Sequence, residues 1–278
     1  MIPPIARRFV AGETVATAMD RARRLEADEV GTILNLLGEH YESRPPADAD
    51  AEAYCDLLAE LGATDLDACV SVKPSQLGLD VGEGAFRENL ERVVRAAVDA
   101  GGFVWVDMED HTTTDATLDA FEAHARTYPA MGVCLQANLK RTARDIERLA
   151  DLPGKVRLVK GAYDESPAVS YTDKARVNEA YRKYLELAFR TFDGGVAVGS
   201  HDPAMVSLAR ELHAEYGTDY EVQMLMGVRE AAQREVAADG VPVYQYVPYG
   251  DRSLSYVYRR VAERKENALC ALRAVVNG

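Results

Sequence analysis

Short apolar runs recur along the chain and set its architecture. They begin at Val30 (VGTILNLLG), Ala68 (ACVSVKPS), Phe103 (FVWVDME), Gly132 (GVCLQA), Val156 (VRLVKGA), Val196 (VAVGSH), Tyr220 (YEVQML) and Val241 (VPVYQY). Successive starts lie about 30 residues apart on average, the length of one strand plus one crossover helix. The intervals carry helical spacing instead. Phe86, Leu90, Val93, Val94 and Ala97 share one helix face, as do Val177, Tyr181, Tyr184, Leu185 and Ala188. Asp202-Pro203 reads as an N-cap followed by a first-turn proline, and Gly240 as the stop after a helix over Arg229 to Ala238. Eight alternating strand and helix units predict an α/β fold with a parallel sheet and right-handed crossovers, closed into a (βα)8 TIM barrel. An open doubly wound sheet is the alternative.

Composition supports a large packed core. The chain has 278 residues, 47% hydrophobic and 28% charged, which excludes disordered, collagen-like and coiled-coil classes. Its net charge of −13 repels phosphate backbones and anionic lipid heads, so nucleic acid is not an expected partner. Cysteines 55, 69, 134 and 270 form no CxxC pair, which predicts reduced thiols in a cytoplasmic protein and no zinc cassette. MIPPIARRFVAGE has no continuous apolar stretch, and nowhere do 18 apolar residues run together, so neither a secretory signal nor a membrane span is expected. Gly82 and Gly84 give GxG without a preceding strand or a third glycine, so no dinucleotide fingerprint is present.

A buried parallel strand reads as apolar throughout, so polar residues near strand C-terminal ends are the informative ones. They are Lys73, Asp107, Glu109, Gln136, Arg157, Lys160, His201, Gln223 and Tyr246. Charges at such depth cost several kcal/mol each unless a ligand or partner compensates them. Internal ion pairs, such as Lys73 with Asp107, are the structural alternative. Gly161 suits a close backbone approach to a flat or phosphorylated ligand, and His201 beside the Asp202-Pro203 helix start suits an anion site, although a lone histidine is more often structural. Asp107, Glu109, Asp110 and His111 form an acidic cluster without a metal cage; alternation puts Asp107 and Glu109 on one strand face and Asp110 on the other, so Asp110 and His111 are expected in a solvated loop.

After the last strand, SLSYVYRRVAERKEN places Tyr256, Arg259, Arg260, Glu263 and Asn267 on one helical stripe, opposite Leu254, Val257, Tyr258 and Val261. Two neighbouring arginines can present forked donors to a planar carboxylate. A solvated helix in which they pair with Glu263 is the other reading.

Together, SVKPSQLGL, DMED, CLQANLKRT, RLVKGAY, GSHD, QMLMGVR, YVPYG and YxxRRxxER, in that order from Ser71 to Asn267, resemble the monofunctional proline dehydrogenase family. The resemblance implies a single domain over residues 1–278, with an N-terminal helical extension at about 1–28. It also implies a distorted (βα)8 barrel that holds FAD at the strand C-termini, with a C-terminal helix over the mouth. The implied reaction is oxidation of L-proline to Δ1-pyrroline-5-carboxylate by hydride transfer to flavin N5. Electrons would pass on to a quinone or similar acceptor, and the enzyme could touch the membrane face peripherally. By the same resemblance Asp107 and Arg157 are catalytic. Lys73, Leu225, Tyr246, Tyr256, Arg259 and Arg260 bind substrate. Met108, Gln136, Lys160, Gly161, Ala162, Ser200, His201, Gln223 and Glu263 bind the cofactor.

The sequence departs from the family pattern at Asn138, where an aromatic is common, at Ser200, which replaces threonine, at Pro74 after the lysine, and in the DRSL segment at 251–254. Three rivals differ in chemistry. A methylenetetrahydrofolate-reductase-like barrel would also hold FAD, a Schiff-base aldolase would use a desolvated Lys160, and a silent barrel would only bind.

Overall fold

A computed structural model describes residues 8–252. Eight parallel strands close on themselves in chain order: β1 (Gly31–Leu36), β2 (Ala68–Val72), β3 (Val104–Val106), β4 (Met131–Gln136), β5 (Lys155–Val159), β6 (Val196–Gly199), β7 (Tyr220–Leu225) and β8 (Val243–Tyr249). Each of the eight apolar runs falls on one of these strands, to within a residue or two at its start, and β8 continues three residues past the end of VPVYQY. Closure pairs β1 with β8, Ile33 lying beside Tyr246. The doubly wound alternative is thereby excluded.

Helices alternate with the strands: α1 (Val15–Glu26), α2 (Arg44–Gly62), α3 (Glu83–Ala100), α4 (Thr114–Ala125), α5 (Thr142–Leu149), α6 (Lys174–Thr191), α7 (Pro203–Tyr216) and α8 (Glu230–Ala238). The main core lies between strands and helices, where Val70, Val72, Val104 and Val106 meet Leu57, Leu58, Phe86 and Leu90. A second, smaller core of Ile33, Cys69, Trp105 and Ala197 comes from the alternate strand positions and fills the barrel itself.

The predicted α3 face is buried in full. On α6 the face begins one turn later than its pattern implies, since Val177 is only half-buried while Ala180, Tyr181, Tyr184, Leu185 and Ala188 are buried. Asp202 caps α7 by accepting from the Ala204 N–H at 3.1 Å, with Pro203 in the first turn. Gly240 follows α8 at φ +82°, a left-handed position that stops the helix. No helix among the described residues is long and apolar enough to cross a membrane. Tyr256, Arg259, Arg260 and Glu263, with the whole expected C-terminal helix, lie outside the described residues.

Candidate active site

β3 is only three residues long, so Asp107 stands just beyond its end, tied to β2 by its N–H donating to the Val72 carbonyl at 2.9 Å. Its side chain turns into the barrel mouth. Oδ1 accepts from the Ser71 hydroxyl at 2.7 Å and from the Arg157 guanidinium, while Oδ2 accepts from the Tyr246 hydroxyl at 2.7 Å. Arg157 extends from the middle of β5 and is 4% exposed, so its charge is compensated almost wholly by protein. It also donates to the Gln223 carbonyl oxygen at 3.0 Å and the Ser71 hydroxyl at 3.4 Å, and lies over the Trp105 and Tyr246 rings, 4.9 and 5.9 Å from guanidinium carbon to ring centre.

Burial alone would weaken the Arg157 charge, but Asp107, with Cys134 and Tyr246 alongside, outweighs it, and the guanidinium is held more firmly protonated than usual. Burial, and then the Asp107 carboxylate, push the Tyr246 phenol well above its ordinary range, so it remains a donor. The Lys73 ammonium contacts Glu39 Oε2 at 2.9 Å, not Asp107. The Lys73–Asp107 pair named as an example of the structural alternative does not form; the two cations take separate partners, Lys73 with Glu39 and Arg157 with Asp107.

Above this cluster opens a cavity of about 420 Å³ at the C-terminal end of the barrel. Lys73, Asp107, Met108, Arg157, Lys160, Gly161, Ala162, His201, Gln223, Leu225 and Tyr246 all line it. Gln136 and Ser200 do not. Gln136 is buried behind the wall and donates to the Glu109 carbonyl, and the Ser200 hydroxyl accepts from the Asp202 N–H at 3.2 Å in the turn that opens α7. His201 Nε2 accepts from the Leu225 N–H at 3.2 Å, which braces the end of β7. Glu109 is a lining residue too, its carboxylate accepting from the backbone N–H and hydroxyl of Ser75, each at 2.7 Å. Asp110 opens a short 3-10 turn at His111–Thr113, and His111 pairs with the buried Glu165. The loop around Asp110 and His111 is thus more tied down than a solvated one. No metal-binding group of side chains occurs among the described residues.

Gly161 follows β5 at φ +101°, and a Cβ there would come within 2.0 Å of Asn138 Oδ1. The glycine is thus required by backbone conformation and by its neighbour Asn138, one of the departures from the family pattern. Among the described residues Gln136 Oε1 and Asn138 Oδ1 are buried without a hydrogen-bond partner, leaving two acceptors behind this wall. Lys160 donates to Asp202 Oδ2 at 3.0 Å and keeps about a third of its side chain exposed, which is not the desolvated amine that a Schiff base needs.

Residues beyond the expected site set also shape the cavity. Tyr163 and Cys134 line the cavity, and Ser71 and Trp105 support its floor. Ser71 carried a signal, as a lone hydroxyl inside a buried strand. Tyr163, in a loop, is marked only as the last residue of RLVKGAY.

A family model described as Proline dehydrogenase matches residues 18–270. Proline dehydrogenase 1 of Bacillus subtilis (strain 168) is 33% identical over 274 residues, 98% of this chain and 90% of the relative. Proline dehydrogenase of Deinococcus radiodurans is 34% identical over 284 residues, 99% of this chain and 91% of the relative. Among solved structures, proline utilization A from Bdellovibrio bacteriovorus inactivated by N-propargylglycine superposes with a TM-score of 0.84 over 92% of this chain, at 22% identity. That likeness speaks to the fold alone, and the chain spans 32% of that protein's length.

Proposed function

This chain belongs to the proline dehydrogenase family, and on that premise we propose that it oxidises L-proline to Δ1-pyrroline-5-carboxylate with FAD bound at the barrel mouth. Membership makes it an oxidoreductase of proline catabolism. The observation that carries the finer reading is the buried Arg157, held between Asp107 and Gln223 on the floor of the mouth cavity. A permanently charged guanidinium buried beneath an open cavity suits a ligand whose electron density rises during reaction.

The residues present fit a flavin. Met108, Val159, Ala162 and Met224 supply apolar walls, and Arg157 and Gln223 supply polar groups within them. Lys160, beside the capped start of α7, suits a diphosphate, and Ser200, His201 and, outside the described residues, Glu263 complete the proposed cofactor set. When bound, FAD supplies an acceptor for a hydride equivalent.

The protein's own part is to bind, orient and exclude water. Leu225 and Tyr246, with Tyr256, wall in the pyrrolidine ring. Lys73, Arg259 and Arg260 grip the carboxylate. Asp107 holds Arg157 and Tyr246 in register, and Arg157 would present its charge to the flavin ring, where positive charge favours the reduced form. The whole chain acts as one barrel domain, passing electrons to a quinone or other acceptor, at the membrane face if the acceptor is lipid-soluble. Anaerobic addition of L-proline to the purified protein tests this: the bound flavin absorbance should bleach, and a protein that carries flavin but does not bleach contradicts the reading.

A further inference from the structure

A line of polar side chains runs through the barrel from its opposite end to Arg157. Lys155, at the start of β5, pairs with Glu221 Oε2 of β7, and the Glu221 side chain is 6% exposed. Glu221 Oε1 accepts from the Gln223 amide Nε2 at 2.6 Å, and the Gln223 carbonyl Oε1 accepts from Arg157 at 3.0 Å. Glu221 and Gln223 stand two apart on one strand, and so do Lys155 and Arg157, so each pair points into the barrel.

The order of donors and acceptors is forced by the groups at the ends. Arg157 can only donate and the Glu221 carboxylate can only accept, so Gln223 between them has one satisfying orientation, oxygen toward Arg157 and nitrogen toward Glu221. We propose that Glu221 is a positioning residue for the active site: by fixing the Gln223 amide it fixes the direction in which Arg157 presents its charge to the mouth cavity. This rests on the flavin reading only for its consequence, since Arg157 is the residue assigned to the flavin ring. The link from Glu221 to Arg157 belongs to the chain alone.

An isosteric, uncharged replacement separates positioning from packing. In Glu221→Gln the new amide has one acceptor for two donors. If its oxygen faces Lys155, its NH2 turns the Gln223 amide over and sets N–H against the Arg157 N–H; if its oxygen faces Gln223, its NH2 opposes the Lys155 ammonium. Removing the Lys155 donor relieves the conflict, so Lys155→Met/Glu221→Gln restores the line although it is one substitution further from the native sequence than Glu221→Gln.

The test is the side-chain ¹⁵N resonance of Arg157, identified by its loss in Arg157→Lys, followed in the purified protein with its bound cofactor and again after cofactor removal. The proposal expects the resonance to move and its exchange with solvent to speed up in Glu221→Gln, and to return in the double variant. The flavin midpoint potential should fall in the single variant and recover in the double one, with the proline turnover number down about tenfold and KM little changed in the single variant. A resonance unmoved in Glu221→Gln, or moved equally in both variants, overturns the proposal. If the resonance responds as expected while the potential stays constant, Glu221 positions Arg157 and it is the placing of Arg157 beside the flavin that fails. Should Glu221→Gln not fold, Gln223→Leu breaks the same line one residue on and is expected to shift Arg157 likewise; an unmoved resonance there also overturns the proposal.

Discussion

The Tyr246 hydroxyl donates to Asp107 Oδ2 at 2.7 Å, so the carboxylate that anchors Arg157 on one oxygen is held in place on the other. The pair joins β8 to the exit of β3 across the barrel and makes the floor of the cavity a rigid, charge-balanced unit. Tyr246→Phe removes this bond while keeping the ring. A buried hydrogen bond to a charged group contributes about 1.5–3 kcal/mol, so kcat/KM for proline should drop by roughly tenfold or more. Steady-state kinetics with a thermal melt check this; unchanged kinetics would mean that Asp107 is held well enough by Ser71 and Arg157.

Asp107→Asn tests the ion pair itself. It leaves the Arg157 charge 4% exposed beside a neutral amide. Breaking a buried pair from one side costs about 3–5 kcal/mol, and urea unfolding should show a loss of that order. Adding Arg157→Met to Asp107→Asn should recover part of it. If the double variant is the sum of the two singles, the pair does not couple as described.

Gly161→Ala is expected to destabilise by about 1–3 kcal/mol, because φ is +101° and the new Cβ meets the Asn138 side chain. Adding Asn138→Ala relieves the contact but not the backbone strain, so denaturant midpoints should recover only in part. Full recovery would show that conformation is not the constraint.

Asp50 on α2 gives a prediction in pH. Its Oδ2 accepts from the Tyr41 hydroxyl at 2.6 Å and from the Gln76 amide at 2.8 Å. Burial, opposed by the Gln76 bond and reinforced by Asp251, pushes its carboxyl up to about 6 from 3.8. The folded state therefore holds a proton that the unfolded state has already released, and this group's contribution to stability falls as pH rises from 3.8 to about 6 and is level above that. Urea midpoints at pH 4.5 and 7 should differ less in Asp50→Asn than in the unmodified protein; an equal difference would contradict the assignment.

The strands were legible because parallel strands covered on both faces must be apolar throughout, and a polar residue near such a run's end stands out. Asp107, Arg157, Gln223 and Tyr246 were found that way. Partners were not legible. Lys73 could be paired on paper with Asp107, yet Glu39, just after β1, takes it, and only closure of the barrel brings Arg157 to Asp107. Val177 failed because a helix face says where apolar residues gather but not where the sheet beneath them ends. The cofactor roles of Gln136 and Ser200 came from motif position, and a motif does not tell a wall residue from one that supports the wall.

Arg157 is the centre of this account, and single-turnover reduction of the bound flavin by saturating L-proline, followed anaerobically by rapid mixing, tests it most directly. Arg157→Met should retain flavin and reduce it at least about a hundredfold more slowly than the unmodified protein, the scale of losing one preorganised charge at a reacting centre. Equal reduction rates in the two flavin-loaded proteins would contradict it.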